Sequence, residues 1–114
     1  MNKHIAEQVR CAYGDLNDKK YRDLDWRAAE FVSRDEAISI MKRYVPSYND
    51  FEPDLLLNLP EDCLIRLARE GSVCMYVMTD KKLDQRALLA DEMSEGVQCL
   101  EENKTARIVR LWWD

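Results

Sequence analysis

The residue order predicts an α+β domain, a small mixed sheet of three to four strands with helices packed on one face. Three observations carry this prediction. Residues 34–45 have a helical period behind a capping signal, 73–78 are apolar on both faces, and the chain ends in two β-rich segments around a polar turn. At 114 residues, 46% hydrophobic and with three Gly and three Pro, the chain reads as one compact domain over 1–114. It exceeds the ~40 residues below which disulfides or metals are usually needed, and its composition excludes collagen-like, low-complexity and disordered classes. The longest apolar stretch, 73–78, is far short of the ~20 residues that cross a bilayer.

Ile5, Val9 and Ala12 recur at helical spacing over 3–13, with Gly14 as a stop. The dense mixed charge of 15–25 reads as a loop or a solvated extension of that helix. Residues 26–32 predict a short strand, although Ala28 and Ala29 also suit a helix. Ser33 and Glu36 form a Ser-x-x-Glu capping box, and Ala37, Ile38, Met41, Tyr44 and Val45 share one face behind it. Pro46 ends this helix, because proline disfavours a helical conformation in the residue before it.

Residues 46–62 hold all three prolines and read as a long connection with a helical turn at 54–57. Pro60, then Leu64, Leu67 and Ala68, then Gly71 describe a short helix with a proline start and a glycine stop. Residues 73–78 predict a central strand covered on both sides. Thr79 or Asp80 caps a further helix carrying Leu83, Ala87, Ala90 and Met93, with Gly96 after it. A hairpin closes the chain, 97–101 and 105–113 flanking Glu102-Asn103-Lys104.

Cys11, Cys63, Cys74 and Cys99 are irregularly spaced among apolar neighbours, which predicts buried thiols and a reducing, cytoplasmic compartment. Charge near the N-terminus interrupts the apolar run that a signal peptide needs. No two cysteines have zinc-knuckle spacing, and His4 is the only histidine, so no metal is expected. Gly14, Gly71 and Gly96 are isolated, which excludes the dinucleotide fingerprint and the P-loop and leaves no expected cofactor. Cys11 lies about two helical turns from His4, too far for a nucleophile–base hydrogen bond. No signature selects a catalytic pair among the 22 acids, and no enzyme activity is expected.

Charge is segregated along the chain. Residues 46–62 hold Asp50, Glu52, Asp54, Glu61 and Asp62, residues 91–102 hold Asp91, Glu92, Glu95, Glu101 and Glu102, and neither window contains Lys or Arg. If the windows meet, the surface is strongly polarised. Tyr48 and Phe51 lie among the first set, with Leu55, Leu56 and Leu57 next. Such an aromatic acts either as a protein-binding anchor or as a satellite of the core beneath its loop. Tyr48, Asp50, Phe51, Glu52, Asp54, Glu61 and Asp62 form the expected partner-binding set. Adjacent Trp112 and Trp113 point to opposite strand faces, so one of them left exposed would mark a contact surface.

These features predict a small, non-catalytic, acidic inhibitor that binds the basic, nucleic-acid-binding surface of a partner protein. Toxin-immunity and phage or plasmid anti-defence proteins work in this way, an analogy of class. The alternative is a nucleic-acid-binding module built on 19–34, where Lys19, Lys20, Arg22 and Arg27 are interleaved with Tyr21 and Trp26. Asp23 and Asp25 interrupt that patch. A small enzyme without a recognisable motif ranks third.

Overall fold

Local capping sets the helices. The computed structural model describes residues 2–14, 25–101 and 104–113, with backbone alone at 94–95, 97–101 and 104–105. Helix α1, Lys3–Tyr13, starts where the Asn2 side chain accepts the Ile5 N–H at 3.1 Å. It stops at Gly14, whose φ of 52° suits a residue without Cβ. Helix α2, Arg34–Tyr44, starts where Ser33 Oγ accepts the Glu36 N–H at 3.2 Å. Only half of the capping box forms, because the Glu36 carboxylate accepts the Asn2 backbone N–H and so ties the two helix starts together. A 3₁₀ helix follows at Pro53–Asn58, over the expected helical turn.

The strands are β1 (Asp25–Arg27), β2 (Val32–Ser33), β3 (Leu64–Glu70), β4 (Ser72–Thr79), β5 (Asp91–Glu101) and β6 (Lys104–Trp112). They form one six-stranded sheet in the order β1-β3-β4-β6-β5, with β2 also paired to β3, and every pairing is antiparallel. The expected mixed sheet of three to four strands is thereby corrected, within the α+β class. The connection after β4 runs to β5 parallel to it, but β6 returns between them, so no parallel pair forms. The strand expected at 26–32 is present in two pieces, β1 and β2, with Ala28 between them still donating to the Leu67 carbonyl at 2.8 Å. The charged segment 15–24 and the turn residues Glu102 and Asn103 lie outside the described residues.

One expected helix is a strand, and another is cut to a single turn before a strand begins. Leu64, Leu67 and Ala68 have helical spacing, yet 64–70 pairs with β4 along its whole length, from Leu64↔Met78 to Glu70↔Ser72. Gly71, at φ 71°, makes the tight hairpin turn instead of a helix stop. Residues 79–96 contain only the single-turn helix α3, Gln85–Leu88, capped by the Asp84 carboxylate, before β5 begins at Asp91. Met93 and Gly96 therefore lie within a strand. Gly96 takes φ 151° at a register shift against β6, a backbone conformation that L side chains rarely adopt.

The main core joins α1, α2, the 3₁₀ helix and one sheet face. It includes Ile5, Val9, Ile38, Met41, Val45, Ile65, Leu67, Met75, Val77, Leu111 and Trp113. On the other sheet face a smaller cluster, Ala68, Cys74 and Tyr76 with Ile108 and Trp112, consists of strand residues alone. Strand β4 is central and buried along its whole length, as its two-sided apolarity predicts. Among the described residues no helix is long and apolar enough to cross a membrane.

Arg69 crosses this core. Its guanidinium, 1% exposed, donates to the carbonyls of Ala12 (3.2 Å) and Tyr13 (3.1 Å) and to the Tyr48 hydroxyl (3.4 Å). Its Nε has no partner.

Two predictions follow from this packing. Ile38→Ala is expected to cost about 2–4 kcal/mol in urea unfolding, because a cavity adds to the lost transfer energy. A cost below about 1 kcal/mol would mean that α2 does not seal the core. Arg69→Met keeps the stem but leaves two helix-end carbonyls unpaired, and is expected to cost about 2–4 kcal/mol. Wild-type stability in that variant would show the carbonyls to be satisfied by other groups.

Candidate functional site

The first acidic window folds around a four-residue turn. Tyr48 and Phe51 exchange backbone hydrogen bonds at 3.1 and 3.0 Å, with Asn49 between them at φ 53°. This turn exposes Asp50 and pulls Phe51 inward. Phe51 is fully buried and meets the Trp113 ring edge-on at 5.0 Å, so it is a core residue and not an exposed anchor. Tyr48 is half-buried, its hydroxyl receiving Arg69 and its ring 5.6 Å from that guanidinium, which makes it a support for the core as well.

The carboxylates remain outside. Asp50, Glu52, Asp54, Glu61 and Asp62 are all exposed. Asp54 pairs with Lys42 at 3.0 Å and Asp62 with Lys81 at 3.1 Å. The hydrogen bond from Lys81 holds the Asp62 carboxyl below its usual range. Both pairs are solvated and contribute little to stability. Asp50, Glu52 and Glu61 enter no ion pair among the described residues.

Trp113 and Trp112 carry the contacts nearest the two acidic windows. Trp113, which packs on Phe51, donates its indole N–H to the Leu88 carbonyl at 2.7 Å, and its neighbour Trp112 pairs with Asp91. Asp91, exposed, lies opposite Trp112 and so on the helix-free face, whereas half-buried Glu92 lies opposite Leu111 on the helix-covered face. From there β5 runs on to Glu101; the side chains of Glu95, Glu101 and Cys99, and residue Glu102, lie outside the description.

Sequence reasoning missed the apolar feature of this side. With three residues per 3₁₀ turn, Leu56 points into the core while Leu57 stands 55% exposed beside Asp54. The triple leucine carried the signal, but only the helix type selects which leucine faces out.

The basic residues are used differently. On the sheet face without helices, the Glu70 carboxylate accepts from the Tyr76 hydroxyl, from Arg110 Nε at 2.6 Å and from Arg27 at 3.5 Å. Arg27 also lies over the Tyr76 ring at 4.6 Å, and Trp112 donates its indole N–H to the Glu70 carbonyl at 3.0 Å. Arg66 donates to the Ala28 carbonyl at 2.6 Å and Arg34 to the Leu59 carbonyl at 3.1 Å. Of the basic–aromatic segment 19–34, Lys19, Lys20, Tyr21 and Arg22 lie outside the described residues, and Trp26 is half-buried against the main core. Neither tryptophan of the terminal pair is left exposed.

Titration behaviour follows from these contacts. Burial alone would raise the Glu70 carboxyl, but the hydrogen bonds from Tyr76 and Arg110 and the nearby charges hold it below the usual carboxylate range. Burial, reinforced by the Glu70 bond, raises the Tyr76 hydroxyl. Burial also pushes the Cys74 thiol up to about 12 and the Cys63 thiol up to about 11, so both are protonated at neutral pH. Cys63 and Cys74 are free and buried, whereas free Cys11 is exposed on α1, contrary to the expectation for it.

The Glu70 cluster predicts a pH dependence with a definite sign. A lowered native pKa stabilises the fold above the unfolded-state value, near 4.5, and this contribution is lost as pH falls through the native value. Glu70→Gln is expected to flatten the acid limb of stability against pH. An unchanged acid limb in that variant would assign the acid sensitivity to other carboxylates.

No protein-family model, no curated protein and no solved structure matches this chain.

Proposed function

We propose that the protein is a non-catalytic inhibitor that binds a partner through its carboxylates and occupies the partner's basic, nucleic-acid-binding surface. The observation that carries this reading is a contrast between the arginines of the sheet and three carboxylates of residues 46–62. Arg27, Arg66, Arg69 and Arg110 are taken up by Glu70, backbone carbonyls and tyrosines of the same chain. Asp50, Glu52 and Glu61 stand exposed and enter no ion pair among the described residues. Carboxylates in that state steer a cationic partner and raise its association rate. Leu57 takes the anchoring role expected of Phe51, since a central apolar contact mainly slows dissociation. The same contrast weighs against nucleic-acid binding through 19–34, because Arg27 and Arg34 in that segment are already bonded within the chain.

Two measurements test the reading. The chain is expected to flow through phosphocellulose at low salt; salt-dependent retention there would favour the nucleic-acid alternative. With a partner isolated from host extract, Asp50→Asn/Glu52→Gln/Glu61→Gln is expected to lower the association rate about tenfold at low ionic strength and to flatten its salt dependence. Leu57→Ala is expected to act mainly on dissociation. Stopped-flow rates indifferent to both variants would overturn the proposal.

A further inference from the structure

The two edges of the sheet differ in kind. One is formed by β1 and β2, three and two residues long and interrupted at 28–31. The other is β5, eleven residues from Asp91 to Glu101 with register shifts between Ser94 and Gly96 and between Cys99 and Glu101, hydrogen-bonded on one side to β6 and on the other to no described strand. Pairing between β4 and β6 stops at Thr79↔Arg107, whereas β5 and β6 continue together to Glu101↔Lys104. The far part of the hairpin is therefore a two-stranded arm. An open edge of this length presents a row of unpaired backbone donors and acceptors, a template for another strand. Two-stranded ribbons are marginal alone and gain stability from a third.

Charge selects the occupant. Along its eleven residues β5 carries Asp91, Glu92, Glu95 and Glu101 with no Lys or Arg. A second copy of the chain pairing edge to edge would bring four more carboxylates into the same sheet, and like charges oppose such pairing. An acidic peptide and a nucleic acid meet the same repulsion. We propose that the outer edge of β5 accepts an extended basic segment of the partner protein as a seventh strand. This rests on the carboxylate-binding reading above and adds to it the conformation in which the partner is held.

The test uses the full chain and a synthetic nine-residue peptide alternating Lys and Val, a length matched to about one strand. Binding is followed by NMR hydrogen exchange. Alternate β5 amides are expected to exchange about tenfold more slowly with the peptide bound, because only one amide in two faces the open edge. An equally charged peptide, N-methylated at alternate backbone amides, is expected to lose this protection, and a Glu–Val peptide is expected not to bind. Asp91→Asn/Glu92→Gln/Glu95→Gln is expected to weaken the Lys–Val peptide about tenfold. Equal binding of the N-methylated peptide would overturn strand addition while leaving the carboxylate reading intact. Unweakened binding to the triple variant would overturn the preference for a basic strand. No binding of the Lys–Val peptide would overturn the proposal outright, and the phosphocellulose and association measurements would then judge the carboxylate reading alone.

Discussion

A positive charge buried among helix ends and rings holds this molecule together. Arg69 projects from β3 into the main core, where an unpaired guanidinium would be costly. It reaches no carboxylate among the described residues. The compensation comes from the C-terminal end of α1, where two carbonyls at the negative pole of the helix accept its N–H groups. The Tyr13 and Tyr48 rings lie 5.1 and 5.6 Å from it and add the attraction of a cation for aromatic faces. Tyr13 in turn donates its hydroxyl to the Ala68 carbonyl at 2.5 Å. One side chain thereby fixes α1, the turn after α2 and the sheet to one another.

Its neighbour does the equivalent on the opposite face. Successive residues of a strand point to opposite sides, so Arg69 enters the helix-covered core while Glu70 gathers Tyr76, Arg110 and Arg27 on the other face. No helix of the described residues contributes to the apolar cluster there; long side chains and Trp112 cover Cys74 and Tyr76 instead. This explains how β4 is buried throughout although helices lie on only one side of the sheet. Both locks depend on β3, the strand that helical spacing in the sequence conceals.

The same arrangement distributes charge on the surface. Arg66, Arg69 and Arg110 are taken up in holding the sheet together, and Asp50, Glu52 and Glu61 are left toward solvent. Phe51 contributes indirectly. Buried against Trp113, it holds the Asp50–Glu52 turn against the residue that follows β6. Its structural role and the exposure of its acidic neighbours have one cause, the tight turn at Tyr48–Phe51.

What the sequence determined by itself is what short-range physics controls. Caps at Ser33 and Gly14, the period of α2, the proline-rich connection, the two-sided apolarity of β4 and the terminal hairpin are each written within a few adjacent residues. So is the segregation of acids. Tertiary structure decided the rest. Residues 64–70 are rich in residues that suit helices, and they became a strand because partners in β4 satisfy their backbone groups over many pairs. The choice of Leu57 over Phe51 as the exposed apolar group of the first acidic window, and of Glu70 as the centre of the second face, depends on which direction each side chain points. That direction follows from strand register and helix type, and no local pattern specifies them before the sheet has formed.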